Sequence, residues 1–424
     1  MLYQLTKPVA KIAFQVYFRK LYLSHLENVP LDKPVVLATN HPTAFIEPCI
    51  MACWLPKPLS FLARGDLYLE NPFIRKLYDW YHLIPVFRIV DAGYSNVKNN
   101  YHSFDRCLDA LSKKRMVMIL AEGRVKHEKR LRPVVKGTAR IVFSMLGKYG
   151  DQDVHVIPVG VTYSNPDEFR SIAMLDFGPP IKATEYTERY RENPARAITE
   201  LTQELAVRIR SRMVHIERIE DEDLVEHLLE LSRNDFPEAP LPVVEHTDAP
   251  LRREIAIAEG INRMTGPDKD ALRQRVDQYF KLLKQHHVTD FGLLNRGFYK
   301  PSTTLLVLLG WLPFAVGYAL NYLPLKAGRL LAERLAPSIE FIASMAGVFA
   351  SLFWMIYVAV IAVVLGTTTG SWWSAALVLV IPFLGLYALV FMNFFGKWKQ
   401  ARAAASLPEG DFKRILRKRP FFQP

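Results

Sequence analysis

Cysteine is almost missing from the 424-residue chain. Cys49, Cys53 and Cys107 are too few for a disulfide framework and lack the spacing of a zinc site, which points to a reducing setting. Cys49 and Cys53 read as apolar helix residues. Several chemical signatures are absent too: no G-x-S-x-G elbow, no G-x-x-x-x-G-K-[ST] phosphate loop, no H-E-x-x-H helix and no dinucleotide glycine fingerprint. Serine-hydrolase, P-loop, zincin and dinucleotide chemistries lose their sequence support, and we expect neither cofactor nor metal. His82, His102, His155, His286 and His287 show no ligand spacing. There is no internal repeat and no low-complexity tract. Acidic residues are also in deficit, 42 against 54 basic, for a formal charge of +12. Such a balance suits an anionic partner.

What is abundant is apolar sequence, half of all residues, and it is unevenly placed. From Thr304 onward come "LLVLLGWLPFAVGYALNYL", "FIASMAGVFASLFWMIYVAVIAVVL" and "SAALVLVIPFLGLYALVFMNFFG". Each is long enough to cross about 30 Å of hydrocarbon. A phospholipid membrane is therefore the expected partner rather than nucleic acid, and residues 301–397 read as the membrane region. Three crossings from a cytoplasmic catalytic domain would put outside both the loop with Lys326, Arg329 and Arg334 and the basic tail 398–424, against the positive-inside rule. The expectation is instead a re-entrant or interfacial segment at 304–323, broken at Pro313, and two spans at 341–365 and 374–396. "GTTTGSWWS" is then the external loop, and the tail is cytoplasmic.

At the other end, "MLYQLTKPVAKIAFQVYFRKLYL" has interspersed charge and no cleavage-site pattern, so it is not a signal peptide. Phe14, Tyr17, Phe18 and Leu21 share one helical face and Lys7, Lys11 and Gln15 another, which predicts an amphipathic membrane-associated helix within residues 1–30.

Between these ends, residues 31–213 alternate short apolar runs with helical patterns. Strands are predicted at 34–39, 59–63, 83–87, 116–121, 154–163 and 172–178, with helices at 44–54, 72–82, 97–114 and 137–150. This predicts an α/β domain with a mixed, largely buried sheet flanked by helices. A helical extension covers 214–300, interrupted by the proline-rich linker 236–250, and leads into C-terminal transmembrane helices.

The candidate site begins in "LATNHPTAFIEPCIMACW". His41 follows a predicted strand directly, in the turn before a helix, where α/β domains place reactive groups. Alone, a histidine six residues before Glu47 is a weak signal, because structural histidines are common. Three more segments strengthen it. "SFLARGDLY" brings Phe61 and Arg64 to the end of the next strand. "ILAEGRVKHEKRLRPVVKGTAR" ends a strand in Glu122 and Gly123 and then supplies Arg124, Lys126, Lys129, Arg130 and Arg132. "VIPVGVTY" surrounds Pro158. Strand ends of one sheet converge on one edge, so a histidine, a carboxylate and several cations would face one crevice.

These segments, in this order, resemble the four blocks of the glycerolipid acyltransferase superfamily, the PlsC-like enzymes that acylate glycerol-3-phosphate or 1-acylglycerol-3-phosphate. The resemblance covers about residues 34–180. "NHPTAFIEP" is closest to the NHPN-x-x-x-DP form of a glycerol-3-phosphate and dihydroxyacetone-phosphate acyltransferase branch that also carries C-terminal membrane segments. Two positions depart from the pattern: glutamate stands where the branch has aspartate, and "EGRV" replaces E-G-T-R, leaving Arg124 and Lys126 as alternative phosphate contacts.

The resemblance implies a membrane acyltransferase of phospholipid biosynthesis that takes an acyl group from acyl-CoA or acyl-carrier protein. His41 is expected as general base on the acceptor hydroxyl and Glu47 as the carboxylate orienting it, with no acyl-enzyme. Arg64, Glu122, Gly123 and Arg124 or Lys126 would hold the acceptor and its phosphate. Asn40, Pro42, Phe61 and Pro158 would shape the site, and Arg88 is a weaker candidate. The competing expectation is a catalytically silent membrane scaffold that keeps the fold.

Overall fold

A computed structural model describes residues 2–65, 72–87, 100–149 and 153–420. By internal contacts the chain divides into two units, residues 1–215 with 242–251, and residues 216–241 with 252–424.

In the first unit, helix α1 (Leu2–Tyr17) precedes β1 (Lys20–Ser24), β2 (Val35–Thr39), α2 (Ile46–Trp54) and β3 (Leu59–Arg64). Then come α3 (Pro72–Trp80), β4 (Leu83–Val86), α4 (Asn100–Ser112), β5 (Met116–Leu120) and α5 (Gly137–Tyr149). The unit continues through β6 (His155–Tyr163), β7 (Ile172–Phe177), β8 (Ile181–Lys182) and α6 (Pro194–Arg210), with β9 (Val244–Glu245) returning late in sequence. The strands form one mixed sheet of order β4-β3-β5-β2-β6-β7-β1-β9, with β8 pairing β6. β4, β3, β5, β2 and β6 run parallel, while β7 is antiparallel to β6 and leads β1 and β9 in the reverse direction.

The near-continuous apolar runs of β2, β5, β6 and β7 are explained by burial on both faces, as parallel strands covered by helices require. Val36, Ala38, Val117 and Ile119 pack with α4, α5 and α6 residues such as Leu111, Val142 and Leu201 in one core. Each expected strand is present within one or two residues of its predicted ends. The predicted helix 97–114 is present as α4, its first residues lying outside the described ones.

The N-terminal expectation needs correction. Leu21 belongs to no helix: the chain leaves helix after Tyr17, and Lys20–Ser24 is a fully buried strand in register with β7. Phe18 and Leu21 are completely buried. The helical spacing of these side chains is outweighed by a sheet edge that needs a partner and gives every backbone group of β1 a place to bond. Within α1 itself, Leu5, Val9 and Ile12 form an exposed apolar stripe. The Lys7 ammonium is drawn inward to the Leu55 carbonyl at 2.6 Å. The proline-rich linker 236–250 contains the short edge strand β9, where Lys20 meets Glu245.

The second unit holds α7 (Glu222–Asp235), α8 (Pro267–Gln285), the short α9 (Asp290–Leu294), α10 (Pro301–Leu335), α11 (Ile339–Thr369), α12 (Val380–Ala405) and α13 (Glu409–Arg417). Among the described residues three helices are long and apolar enough to cross a membrane: Pro301–Leu335, Ile339–Thr369 and Trp372–Ala405. The break expected at Pro313 is absent, because α10 runs unbroken through Pro313 and Pro324 for 35 residues. Small residues let the helices approach closely, as in membrane bundles. Gly310 faces Phe391, Gly317 the backbone of Leu384, and Gly328 the backbone of Ala350. Asn321 donates to the Gly317 and Ile381 carbonyls and accepts the Trp354 indole N–H, so its amide has partners on α10, α11 and α12.

The contacts Thr304–Trp398, Gly310–Phe391 and Gly317–Leu384 show that α10 and α12 run antiparallel. The start of α10 and the end of α12 thus lie side by side, and Gln400 packs on Thr289 and Gly292 just ahead of α10. The basic tail folds back as α13 on the same helical base. Arg419 forks onto Asp290 at 2.7 and 3.1 Å, and this carboxylate also accepts from Tyr279 and Asn234.

Candidate active site

Strand β2 ends at Thr39, and Asn40 continues it by side chain instead of backbone. Its amide nitrogen donates to the Val161 carbonyl and its oxygen accepts the Val161 N–H, both at 2.8 Å. β6 extends past β2 here, so two buried main-chain groups that would otherwise lack partners are satisfied. The turn that follows holds His41, and both Asn40 and Pro42 are buried.

Glu122 ties the second segment to the first. One carboxylate oxygen accepts the His41 backbone N–H at 3.2 Å and the other the Arg132 N–H at 3.0 Å. Burial raises the Glu122 carboxyl above its usual value, and the two amides pull it partly back. Gly123 takes the turn directly after it with φ 68°, the left-handed region in which a side chain is strained. The basic loop then returns over the site: the Lys126 N–H donates to the His41 carbonyl at 3.1 Å, and Leu131 N–H to His215 Nδ1 at 3.0 Å.

Only 11% of the His41 side chain is exposed and none of Glu47, and Nδ1 of the histidine lies 3.5 Å from Oε1 of the acid. At that distance the two atoms face each other without a formed hydrogen bond, and among the described residues Nδ1 has no hydrogen-bond partner. Glu47 lies in the first turn of α2, where an anion meets the positive end of the helix. Thr43 holds both of its oxygens: the backbone N–H donates to Oε1 at 2.9 Å and the hydroxyl donates to Oε2.

The cations divide into two kinds. Arg130, Arg132 and Lys126 surround Glu128 at 3.1, 2.7 and 3.6 Å. Burial would raise the Glu128 carboxyl, but the two guanidiniums outweigh this and hold it below the usual range. Arg124 is exposed and makes no hydrogen bond or ion pair among the described residues. Arg64 closes β3 on the same sheet edge as Asn40 and Glu122, its side chain lying outside what is described, as does Arg88. Phe61 sits within β3, paired with Leu83 and Met118. Pro158 lies deeper, beside Ala38 within the sheet, where its carbonyl accepts from the Gly178 N–H.

His41, Glu47, Asn40, Glu122, Gly123 and Lys126 are therefore brought together at one edge of the sheet. Thr43 and Val161 were not singled out from sequence. Nothing local points to either: Thr43 stands four residues before Glu47, one more than the capping-box spacing, and the N-cap of α2 is Phe45.

Residues 20–162 match the Acyltransferase family. The chain carries a domain of the glycerolipid acyltransferase superfamily. Among curated proteins it is 28% identical over 113 residues to glycerol-3-phosphate O-acyltransferase 2 of Saccharomyces cerevisiae, covering 26% of this chain and 15% of that one. It is 26% identical over 145 residues to glycerol-3-phosphate O-acyltransferase 1 of the same yeast, covering 33% of this chain and 19% of that one. The matched part thus spans less than a fifth of these relatives' lengths. The crystal structure of the 1-acyl-sn-glycerophosphate (LPA) acyltransferase PlsC from Thermotoga maritima aligns with a TM-score of 0.34 at 15% identity, over 48% of this chain and 79% of that one.

Proposed function

We propose that the protein is a membrane-bound O-acyltransferase that moves a fatty acyl group from a thioester to a hydroxyl of glycerol-3-phosphate or 1-acylglycerol-3-phosphate. The observation that carries this reading is the His41–Glu47 pair, nearly removed from water and held at the strand end by Asn40 and Glu122.

An alcohol is a weak nucleophile at neutral pH, so His41 takes its proton as the oxygen attacks the thioester carbonyl. The C–S bond breaks, the thiol leaves with a proton, and the ester remains. Glu47 faces Nδ1 and stabilises the imidazolium that forms. Burial, in each case the leading cause, pushes the Cys49, Cys53 and Cys107 thiols up to about 12, 11 and 12, which favours direct transfer over a cysteine acyl-enzyme. Arg124, without a partner among the described residues, and Arg64, on the same edge, are the cations we assign to the acceptor phosphate. Lys126 contributes through its backbone to the histidine turn and through its side chain to the Glu128 cluster.

The exposed apolar stripe of α1 rests on lipid in this reading, and the catalytic unit faces the cytoplasm, where thioester donors are made. The test is transfer of labelled palmitate from palmitoyl-CoA by the detergent-purified chain, across a panel of acceptors with and without phosphate. Turnover confined to phosphorylated glycerols and abolished in His41→Ala is expected. Absence of turnover with every acyl donor, acyl-carrier protein included, would favour the silent scaffold.

A further inference from the structure

Glutamate in place of aspartate raises a physical difficulty that the structure resolves. The longer side chain has one more rotatable bond, and a carboxylate that wanders cannot orient a histidine. Here neither oxygen is free to wander. Thr43 is completely buried, and it grips both oxygens of the completely buried Glu47, Oε1 through its backbone N–H and Oε2 through its hydroxyl. Oε1 is also the oxygen that lies 3.5 Å from His41 Nδ1, itself buried and without a hydrogen bond among the described residues. On the neighbouring strand end the buried Tyr163 side chain lies beside Thr43 and Glu47, and burial, ahead of the Glu47 charge, raises its hydroxyl well above the usual value.

Resting on the acyl-transfer reading, we propose that Thr43 is a positioning residue that clamps Glu47 at two points and so aims Oε1 at the His41 imidazole. Of its two contacts only the hydroxyl depends on the side chain. That contact is a hydrogen bond between a donor and an ionised acceptor in a dry site, the stronger class of hydrogen bond. Losing it lets Glu47 rotate about its extra bond while the fold of the turn, held by Asn40 and Glu122, stays in place.

The test uses the full-length protein in detergent with four variants: Thr43→Val, Thr43→Ser, Glu47→Gln and the Val–Gln double. Thr43→Val is expected to lower kcat about ten- to a hundredfold, the scale of one hydrogen bond to a charged group, with the KM of both substrates unchanged. Thr43→Ser, which keeps the hydroxyl, is expected to recover most of this. In the Glu47→Gln background the valine change should add less than about twofold, because residues that act through one another are not additive. Losses that multiply in the double variant, or a serine variant as poor as valine, would overturn the proposal. A second measurement is independent of turnover. The imidazole titration of His41 by NMR, assigned by its disappearance in His41→Ala, should move down in Thr43→Val as the carboxylate loses its aim. A titration that does not move refutes the clamp even in an active enzyme. One that moves in a protein without turnover keeps the clamp and refutes the catalytic reading instead.

Discussion

Changing Glu47 to glutamine removes one charge and almost nothing else. The side chain keeps its length, its place in the first turn of α2 and an oxygen able to accept from Thr43. In the proposed mechanism, what is lost is the attraction between the carboxylate and the imidazolium that forms as His41 takes the acceptor's proton. For a separation of 3.5 Å, Coulomb's law at an effective dielectric of about 20 gives nearly 5 kcal/mol for two full charges. Only part of a charge has developed on the ring at the transition state, so about half of that, 2 to 3 kcal/mol, or about 30- to 200-fold in rate, is the expected loss. It should fall on kcat, because in the proposed mechanism the charge pair forms only as the proton is taken. Single-turnover transfer of labelled palmitate under saturating acceptor isolates this step. If Glu47→Gln keeps more than about a third of the wild-type rate, the carboxylate does not support His41 electrostatically and the pair has been misread.

Other consequences are open to measurement. Asn40→Ala leaves the Val161 N–H and carbonyl buried without partners, at about 1–3 kcal/mol each, so the full chain should unfold several degrees earlier, and an unchanged melting temperature would show that water replaces the amide. Arg64→Ala and Arg124→Ala should raise the KM for the phosphorylated acceptor while leaving that for the acyl donor nearly constant, and the reverse ranking would move these cations to the thioester site. Because α10 begins where α12 ends, the chain enters and leaves the bundle on one side. Single cysteines at Ser302 and Ser406 in a cysteine-free chain should therefore react alike with an impermeant maleimide on intact cells. One at Arg329, about 40 Å further along α10, should react oppositely, and unlike labelling of the first two would restore an odd number of crossings.

Much of this protein is legible without coordinates because its signals are local. Buried parallel strands need unbroken apolar runs, so β2, β5 and β6 announce themselves. The candidate site is written in short motifs in fixed order, "NHPTAFIE", "FLAR" and "EGR". Apolar runs of membrane length likewise mark α10, α11 and α12. Tertiary structure decided what depends on residues far apart in the chain. The spacing of Phe14, Tyr17, Phe18 and Leu21 reads as helix, yet Lys20–Ser24 becomes a strand because β7, some 150 residues later, offers its edge. Asn40 holds the histidine turn only because Val161 lies beside it. Pro313 reads as a helix break, but the close packing of α10 on its neighbours carries the helix through it. Glu47 is held at both oxygens because the turn before α2 closes back far enough to place both Thr43 donors on them. That closure is a property of the folded backbone, which residue spacing suggests and packing determines.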